Sequence, residues 1–266
     1  MRGLSASESA GPPAATAPLS AILITRNEEA NLADCIASLA FAREIVVVDS
    51  GSTDRTVAIA EAAGCKVVCT PDFPGFGPQK NRALELATQD WVLSIDADER
   101  VTPQLAAEIV AIANAASTPH DAWEIPRSSS YCGQFMRHGG WYPDPVLRLF
   151  RRGTARFSDD LVHERVVATG SVGRLRNDLV HYSFRDLDAV LDKVNRYSTA
   201  GAQRMHAQGK RSSPLGAVLH GLWAFIRTYL LKAGFLDGRM GLALAISNAE
   251  GTYYRYLKLW LMRRQG

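Results

Sequence analysis

The chain has 266 residues, of which 47% are hydrophobic and 21% are charged. This composition excludes a chain that is disordered throughout and supplies enough apolar side chains for one large domain, or for a domain with an appendage. The net charge is only +3, but basic side chains outnumber acidic ones in residues 185–266 and are outnumbered in residues 1–184. The basic C-terminal part predicts contact with an anionic partner, such as a lipid surface or a phosphorylated substrate, and no motif supports nucleic acid.

Residues 1–18 begin the chain with small and turn-forming side chains, including Pro12 and Pro13. They contain no apolar run of the length that a secretory signal needs. We therefore expect a disordered leader over residues 1–18.

From residue 19 to residue 98, short apolar runs alternate with helical patterns. The runs rich in Val and Ile suit strands that are covered on both faces, and the segments between them carry apolar side chains three and four residues apart. This order predicts an α/β domain with a mostly parallel sheet, in which ligands bind at the carboxyl ends of the strands. The predicted strands are 20–25, 44–48, 66–70 and 91–95, and the predicted helices are 29–39, 53–63 and 79–88.

Residues 120–184 are less regular and predict short strands, with candidates at 123–126, 147–150 and 166–168. After residue 184, apolar stripes at helical spacing predict a C-terminal region of helices, one of which is a strongly apolar helix over 214–232. Its longest uncharged stretch, residues 212–226, is short for a bilayer span of about 20 apolar residues. Its aromatic and basic side chains instead predict helices at a membrane surface, with packing on the catalytic domain as the alternative.

Polar residues follow three of the four early strands and should converge on one edge of the sheet. Asp49 could accept hydrogen bonds from a base or ribose; the alternative is a turn that caps the next helix, and the two are compatible. Asp96 and Asp98 flank a small residue after a buried strand, where their charge favours a divalent cation bridging to a diphosphate, Mg²⁺ or Mn²⁺. A solvated loop is the alternative for this pair.

Three further segments hold candidate functional side chains. Residues 157–164 contain four candidate general bases, Asp159, Asp160, His163 and Glu164, with a surface turn as the alternative. His181 ends a short strand, where a packed core histidine is the alternative to a ligand. Lys80 begins a helix after a glycine-containing loop that lacks the Walker pattern, and it could contact a nucleotide.

Taken in order, these motifs resemble glycosyltransferase family 2, the inverting enzymes with the GT-A fold. The resemblance covers roughly residues 19–184 and rests on TRNE at 25–28, VVVDSGSTD at 46–54, QKNRALELATQDWVLSIDADE at 79–99 and a later acidic motif. More narrowly, WYPDPVLRLFRR, VHE, LVHYS and GFLDG look like the WaaE-like lipopolysaccharide core β-1,4-glucosyltransferases. The implied organisation is a leader (1–18), a GT-A catalytic domain (19–184) and a helical, membrane-interfacial region (185–266).

The resemblance implies a role for each matching position. Asp98 would bind the metal, Mg²⁺ or Mn²⁺, with His181 as a further ligand. The family usually has a Glu-Asp pair whose second acid is the base; His163-Glu164 stands there in this chain, so Glu164 is the expected base and Asp160 the fallback. The donor site is expected to comprise Thr25, Arg26, Asn27, Glu28, Asp49, Ser50, Gly51, Lys80 and Asp96.

The expected reaction is inverting transfer of a hexose to a lipid-linked or lipopolysaccharide core acceptor. The subgroup resemblance implies UDP-glucose as donor and a heptose of the inner core as acceptor, at the inner face of the cytoplasmic membrane. A sugar nucleotidyltransferase is the first alternative, but such an enzyme needs a glycine-rich phosphate loop close behind the first strand. This chain has Arg26-Asn27-Glu28-Glu29 there. A non-catalytic nucleotide-sugar-binding module is the second, and retention of both Asp96 and Asp98 argues against it.

Overall fold

A computed structural model describes residues 16–158 and 165–264 of the chain. The strands are β1 (Ala17–Thr25), β2 (Ala42–Asp49), β3 (Lys66–Cys69), β4 (Trp91–Ser94), β5 (Glu99–Val101), β6 (Ala122–Tyr131), β7 (Gln134–Phe135), β8 (Asp144–Arg151), β9 (Ala155–Phe157), β10 (Val166–Ala168), β11 (Val172–Arg174) and β12 (Leu179–Phe184). The α-helices are α1 (Leu32–Ala37), α2 (Thr56–Ala62), α3 (Phe76–Leu86), α4 (Pro103–Ala113), α5 (Leu187–Ala207), α6 (Pro214–Ile226) and α7 (Gly238–Met262).

The four early strands form the parallel half of one large sheet. The strand order is β3-β2-β1-β4-β8-β6-β12-β5, with β7 and β11 paired to β6. Strand β1 runs parallel to β2 and to β4, and Thr25 lies opposite Asp49 at the carboxyl ends. The predicted α/β class and the parallel arrangement of these strands are confirmed, and the polar residues that follow the strands meet at one edge.

The second half of the sheet is mixed rather than parallel. Strand β8 is antiparallel to both β4 and β6, whereas β12 runs parallel to β6 and antiparallel to β5. The short strand expected at 123–126 is part of a ten-residue strand, β6. The expected strand at 166–168 has the predicted bounds, and it pairs with β9 outside the main sheet.

Two boundaries near the first strand differ from the sequence-based expectation. Strand β1 begins at Ala17, inside the expected leader, because the backbone N–H of Ala17 donates to the carbonyl of Phe41 and its side chain is fully buried. Helix α1 begins at Leu32 rather than residue 29, since the intervening residues are tied to the loop after β2. Residues 1–15 of the expected leader lie outside the described part.

The apolar runs of the central strands are buried on both faces of the sheet. Trp91, Leu93 and Ile95 join one core cluster, which also contains side chains of α1 and α4. The intervening Val92 joins a second cluster on the opposite face with Phe150. This alternation explains why the strand sequences lack a polar face.

The C-terminal region is helical, as predicted, and α7 packs against both α5 and α6. The side chains of Asp186 and Ser213 cap the first turns of α5 and α6. The single helix expected over 214–232 instead continues after Ile226 as a π-helical turn, Arg227–Leu231, which is followed by a 3₁₀ turn, Gly234–Asp237. No helix in the described ranges is both long and apolar enough to cross a bilayer.

Candidate active site

A cavity of about 620 Å³ opens where the carboxyl ends of β1 and β4 meet the end of β12. We call it the cleft. Its lining includes five of the residues singled out from the sequence: Glu28, Lys80, Asp96, Asp98 and His181. Residues from four different elements or loops therefore meet at the predicted edge of the sheet, as the parallel topology requires.

Asp96 lies in the cleft between two cations. Nζ of Lys80 lies 3.0 Å from its Oδ1, and a terminal nitrogen of Arg148 donates to its Oδ2 at 2.5 Å. Burial alone would raise the pKa of Asp96, but the attraction of Arg148 and Lys80 outweighs it and holds that pKa well below its usual range. Asp96 is therefore an anion that orients Lys80 toward the cleft.

A buried ion network continues from Arg148 behind the cleft wall. Glu99 has no exposed surface, and its Oε1 accepts from Arg148 at 2.8 Å while its Oε2 accepts from the backbone N–H of Asp96 at 2.9 Å. Arg127 lies 3.5 Å from Glu99 and also pairs with Asp144 at 2.6 Å. The network joins the end of β4 to β6 and β8, so it holds the turn that carries Asp96 and Asp98.

Asp98 and His181 form the second feature of the cleft. Nε2 of His181 lies 3.3 Å from Oδ2 of Asp98, and the other ring nitrogen, Nδ1, lies 2.9 Å from the hydroxyl of Ser129. The backbone N–H of Tyr182 donates to the carbonyl of Asp98 at 2.9 Å and holds the two segments together. Either a proton on Nε2 or a cation between the two groups makes this contact attractive.

The donor set of this pair fits a hard divalent cation. A carboxylate oxygen and an imidazole nitrogen are both ligands of Mn²⁺, and Mg²⁺ commonly takes one or two carboxylates with water and substrate phosphates completing its shell. Across residues 16–158 and 165–264, no group of three or more His, Cys, Asp or Glu side chains could hold a metal by itself. A metal bound by Asp98 and His181 would need further ligands, which substrate phosphates and water commonly supply.

Glu28 adds a further carboxyl group to the cleft. Burial raises its pKa, and the charge of the nearby Asp98 raises it further, while a hydrogen bond from the amide of Asn31 at 2.8 Å acts in the opposite direction. Acidic side chains in the lining of the cleft outnumber basic ones by four to three: Glu28, Asp96, Asp98 and Asp144 against Lys80, Arg127 and Lys193. Such a surplus favours cation binding.

A second cavity, of about 430 Å³, adjoins the cleft on the side of β1. We call it the donor cavity. Thr25, Arg26, Glu28 and Ser50 line it with Phe73, Phe76 and Arg196, and Ile24, Glu28 and Phe76 line the cleft as well. Four of the expected donor residues are thereby brought to one place.

Asp49 does not open into either cavity. Its Oδ1 accepts from the backbone N–H groups of Gly51 and Ser52, and its Oδ2 accepts from the hydroxyls of Thr25 and Ser52. The residue is 1% exposed, and Gly51 has the positive φ of +80° that the turn requires. The turn interpretation accounts for these contacts, and direct contact of Asp49 with a base stays a prediction.

Asn27 likewise fixes a loop. Its side-chain oxygen accepts from the backbone N–H of Thr53 at 2.8 Å, and its own N–H donates to the hydroxyl of Ser52. Asn27 adopts a φ of +57°, a conformation that asparagine tolerates better than most residues. It joins the loops after β1 and β2, and so positions its neighbours Arg26 and Glu28.

The expected bases, Glu164 and Asp160, lie outside the described residues. The two flanking residues are described: the N–H of Ser158 donates to the carbonyl of Arg165, and the N–H of Arg165 donates to the hydroxyl of Ser158. Phe157 and Arg165 line a cavity of about 460 Å³ together with Lys80 and Asp96. Both ends of the segment that carries the expected bases therefore lie beside the cleft.

Sequence reasoning missed the basic residues behind the cleft. Arg148 is 7% exposed although it sits in the apolar run of β8, whereas Arg127 in β6 is only partly buried and lines the cleft itself. A cation inside an apolar strand needs a buried acidic partner. The sequence LRLF at 147–150, with Arg148 among apolar residues, therefore indicates a buried ion pair. Ser129 and Lys193, which also line the cleft, carry no comparable signal.

Comparison with known proteins agrees with the geometry. The model of Glycosyl transferase family 2 matches residues 20–160. Lipopolysaccharide core biosynthesis glycosyltransferase LpsC of Rhizobium meliloti (strain 1021) is 35% identical over 257 residues, which cover 90% of this chain and 93% of the relative. An uncharacterised glycosyltransferase of Rickettsia typhi is 31% identical over 252 residues, covering 91% of this chain and 86% of the relative.

One solved structure with a similar sequence segment is glucosyl-3-phosphoglycerate synthase from Mycobacterium tuberculosis, in complex with Mn²⁺, UDP and glucosyl-3-phosphoglycerate. It covers 44% of this chain and 45% of its own, at 29% identity and a TM-score of 0.34. The family match spans just over half of the chain, and the relatives span most of it. The chain therefore belongs to glycosyltransferase family 2, as an α/β enzyme of the GT-A fold with a helical C-terminal region.

Proposed function

We propose that this glycosyltransferase transfers a hexose, glucose from UDP-glucose, with inversion to an acceptor of the lipopolysaccharide core. One observation carries the proposal: the cleft holds Asp98 and His181 as a pair 3.3 Å apart, beside Lys80 and its partner Asp96. A carboxylate, an imidazole and an ammonium group gathered in one cavity suit a diphosphate with its metal.

The donor cavity is the proposed site of the nucleoside. The exposed rings of Phe73 and Phe76 lie 5.1 Å apart at its wall and offer apolar faces to a base. Thr25, Ser50 and Arg26 supply polar groups beside them. The diphosphate would then extend through Glu28 and Phe76, which line both cavities, toward Lys80.

Asp98 and His181 would hold Mg²⁺ or Mn²⁺, which supplies stabilisation of the negative charge on the leaving diphosphate. The hydroxyl of Ser129, 2.9 Å from Nδ1, fixes the ring so that Nε2 faces Asp98. Lys80 adds a positive charge at the same end of the cleft, held there by Asp96 at 3.0 Å.

Glu164 is the proposed general base, with Asp160 as the fallback. The base takes the proton of the acceptor hydroxyl, and the oxygen of that hydroxyl bonds to the anomeric carbon of the donor sugar. At the same time, the bond between the anomeric carbon and the diphosphate oxygen breaks, and the nucleoside diphosphate leaves. Attack from the face opposite the nucleotide inverts the anomeric configuration. Support comes from Phe157 and Arg165, which lie on either side of this segment in the chain and line one cavity together with Lys80 and Asp96.

The proposed acceptor follows from the name of the Rhizobium meliloti relative, a lipopolysaccharide core biosynthesis glycosyltransferase. We propose a heptose of the inner core as the sugar that is glycosylated. The relative covers nearly the whole chain, including the helical region, so the acceptor class is the property we expect the two to share.

The helical region is the proposed contact with the inner face of the cytoplasmic membrane. Helix α6 exposes Leu215, Leu219, Leu222 and Trp223 to more than half of their surface, at the spacing of one helix face. The α6 and α7 junction adds further exposed apolar side chains, with basic residues nearby in the sequence. Lys258 does not contribute, because its Nζ is bound by Asn195, Ser198 and Thr199.

The experiment incubates the purified protein with UDP-glucose, Mn²⁺ and lipopolysaccharide core acceptor, and identifies the product and its anomeric configuration. We expect a β-linked glucose, lost on chelation of the metal. Glu164→Gln should reduce the transfer rate about 10²–10⁴-fold, and Asp160→Asn should leave it close to wild type. The reverse pattern assigns the base to Asp160, and full transfer by both variants removes both assignments. Transfer with retention contradicts the single displacement.

A further inference from the structure

A further cavity, of about 440 Å³, lies between α5, α6, α7 and the loop of residues 139–141. We call it the helical cavity. It is continuous with the cleft because five residues line both: Gly140, Trp141, Phe184, Lys193 and Tyr197. A molecule that reaches the metal pair from the side opposite the donor cavity can therefore extend into the helical region.

The charged side chains that line the helical cavity are all basic. Lys193, Arg227, Lys232 and Arg255 line it, and none of the described lining residues is Asp or Glu. Within the described ranges, Arg227, Lys232 and Arg255 form no ion pair with an acidic side chain, whereas Lys193 is attracted by Asp98 of the cleft. Cations that converge on a cavity without acidic partners repel one another, so the arrangement favours an anionic occupant.

The side chain of Arg255 has an unsatisfied hydrogen-bond donor. Its Nε is buried and has no hydrogen-bond partner among the described residues. A Cβ at Gly201 would lie 3.0 Å from this nitrogen, so the absence of a side chain there lets Arg255 pack beside α5. Because Arg255 lines the cavity and has a buried donor without an acceptor, its guanidinium is a candidate partner for an anion bound there.

The junction between the two cavities is built around Lys232. The backbone N–H of Gly139 donates to the carbonyl of Lys232 at 2.8 Å, and a Cβ at Gly140 would lie 2.2 Å from its Nζ. The absence of a side chain at Gly140 lets the ammonium group lie directly over the passage. Trp141 follows in the loop and offers a ring at the same junction.

We propose that the helical cavity binds an anionic group of the acceptor, a phosphate or a carboxylate on a sugar next to the one that is glycosylated. The proposal deepens the proposed function and rests on it for the identity of the cleft. Arg227, Lys232 and Arg255 would pair with the anion, while Trp141 and Tyr197 flank the path to the cleft. The acceptor hydroxyl then lies near the metal pair without any contact to the membrane surface.

The test measures acceptor binding in the absence of donor, so that it does not depend on transfer. The probe is core oligosaccharide freed of lipid by deacylation, used intact, after phosphate removal with hydrofluoric acid, and after carboxyl reduction. We expect the wild type to bind the intact oligosaccharide about tenfold more tightly than one of the two neutralised forms, and the form that loses affinity identifies the anion. The double variant Arg227→Gln/Lys232→Gln should lose this preference.

The matched control is Arg204→Gln, an exposed arginine of α5 that lines none of the three cavities. It should retain the preference, and UDP affinity with Mn²⁺ shows that each variant is folded. Equal binding of all three oligosaccharides by the wild type overturns the proposal, as does a double variant that behaves as wild type. The proposal is also overturned if the double variant keeps its preference for the intact oligosaccharide but no longer floats with phosphatidylglycerol vesicles. Arg227 and Lys232 would then bind lipid rather than the acceptor. Acceptor binding as expected but no transfer from UDP-glucose contradicts the proposed function instead.

Discussion

Nε2 of His181 lies 3.3 Å from Oδ2 of Asp98, although the two residues are far apart in the chain. Strand β12 brings them together because it pairs with β5, directly after the turn that carries Asp98. The contact joins the parallel half of the sheet to its mixed half. It is the point in the cleft where the proposed metal ion would find both an oxygen and a nitrogen ligand from the protein.

The first prediction concerns Asp98→Asn. The amide keeps the shape of the side chain but removes its charge, so Mn²⁺ or Mg²⁺ binding with UDP should be lost and the transfer rate should fall about 100-fold or more. The measurement is UDP affinity by calorimetry at several metal concentrations, together with the rate. The control is Asp34→Asn, a carboxylate that is 82% exposed. Metal-dependent UDP binding by Asp98→Asn at wild-type strength would remove Asp98 from the metal site.

The second prediction concerns Ser129, whose hydroxyl contacts Nδ1 of His181. Ser129→Ala leaves both expected ligands in place but frees the imidazole ring, so metal affinity should fall about 10–100-fold. Ser128→Ala is the matched control, since Ser128 is also buried and lies next to Ser129 in β6. Metal affinity is read in the presence of UDP. Equal affinities for the two variants would show that Ser129 does not orient His181.

The third prediction concerns the buried network. Arg148→Met leaves Glu99 buried without its closest cation, which should lower the free energy of unfolding by about 3–5 kcal/mol. Arg174→Met breaks an exposed pair with Glu124 at 2.8 Å and should cost about 0–1 kcal/mol. Urea denaturation at neutral pH measures both. A loss for Arg148→Met no larger than that for Arg174→Met would show that the network does not stabilise the fold.

The fourth prediction concerns the pH dependence of stability. Burial and the nearby Asp98 raise the pKa of Glu28 above its ordinary value of 4.5, so the folded state holds this proton at pH values where the unfolded state has released it. The free energy of unfolding therefore decreases as the pH rises through this window. Glu28→Gln removes the penalty and should gain stability relative to wild type between pH 4 and pH 7. A stability difference that is constant with pH, or that shrinks as the pH rises, contradicts the assignment.

The fifth prediction concerns the exposed face of α6. Leu219→Glu/Leu222→Glu places two charges where the proposed membrane contact buries leucine, and flotation with phosphatidylglycerol vesicles should weaken at least about tenfold. Leu187→Glu is the control, because Leu187 is equally exposed but begins α5. Transfer to a lipid-free acceptor should be unchanged in both variants. Unaltered flotation of the double variant would show that the exposed face of α6 does not bind the membrane.

The parallel half of the sheet was predictable because each strand is buried on both faces and each is followed by a helical pattern. The polar residues after β1, β2 and β4 were assigned to one edge on that basis, and Glu28, Asp96 and Asp98 lie in the cleft. Asp49 follows the same rule in the sequence but turns its carboxylate into its own loop. Local hydrogen bonds between turn residues compete with ligand contacts, and the sequence pattern does not distinguish the two.

The sequence by itself determined the α/β class, the strands and helices of the first hundred residues, the helical C-terminal region and the acidic residues of the cleft, because periodicity and strand-end position are local properties. Only the tertiary structure decided that β12 delivers His181 to Asp98, that Arg148 and Glu99 brace the turn after β4, and that α5, α6 and α7 enclose a basic cavity next to the cleft. These relationships depend on strand pairing and helix packing between distant segments, whose geometry is set by the burial of the whole core rather than by any short stretch of sequence.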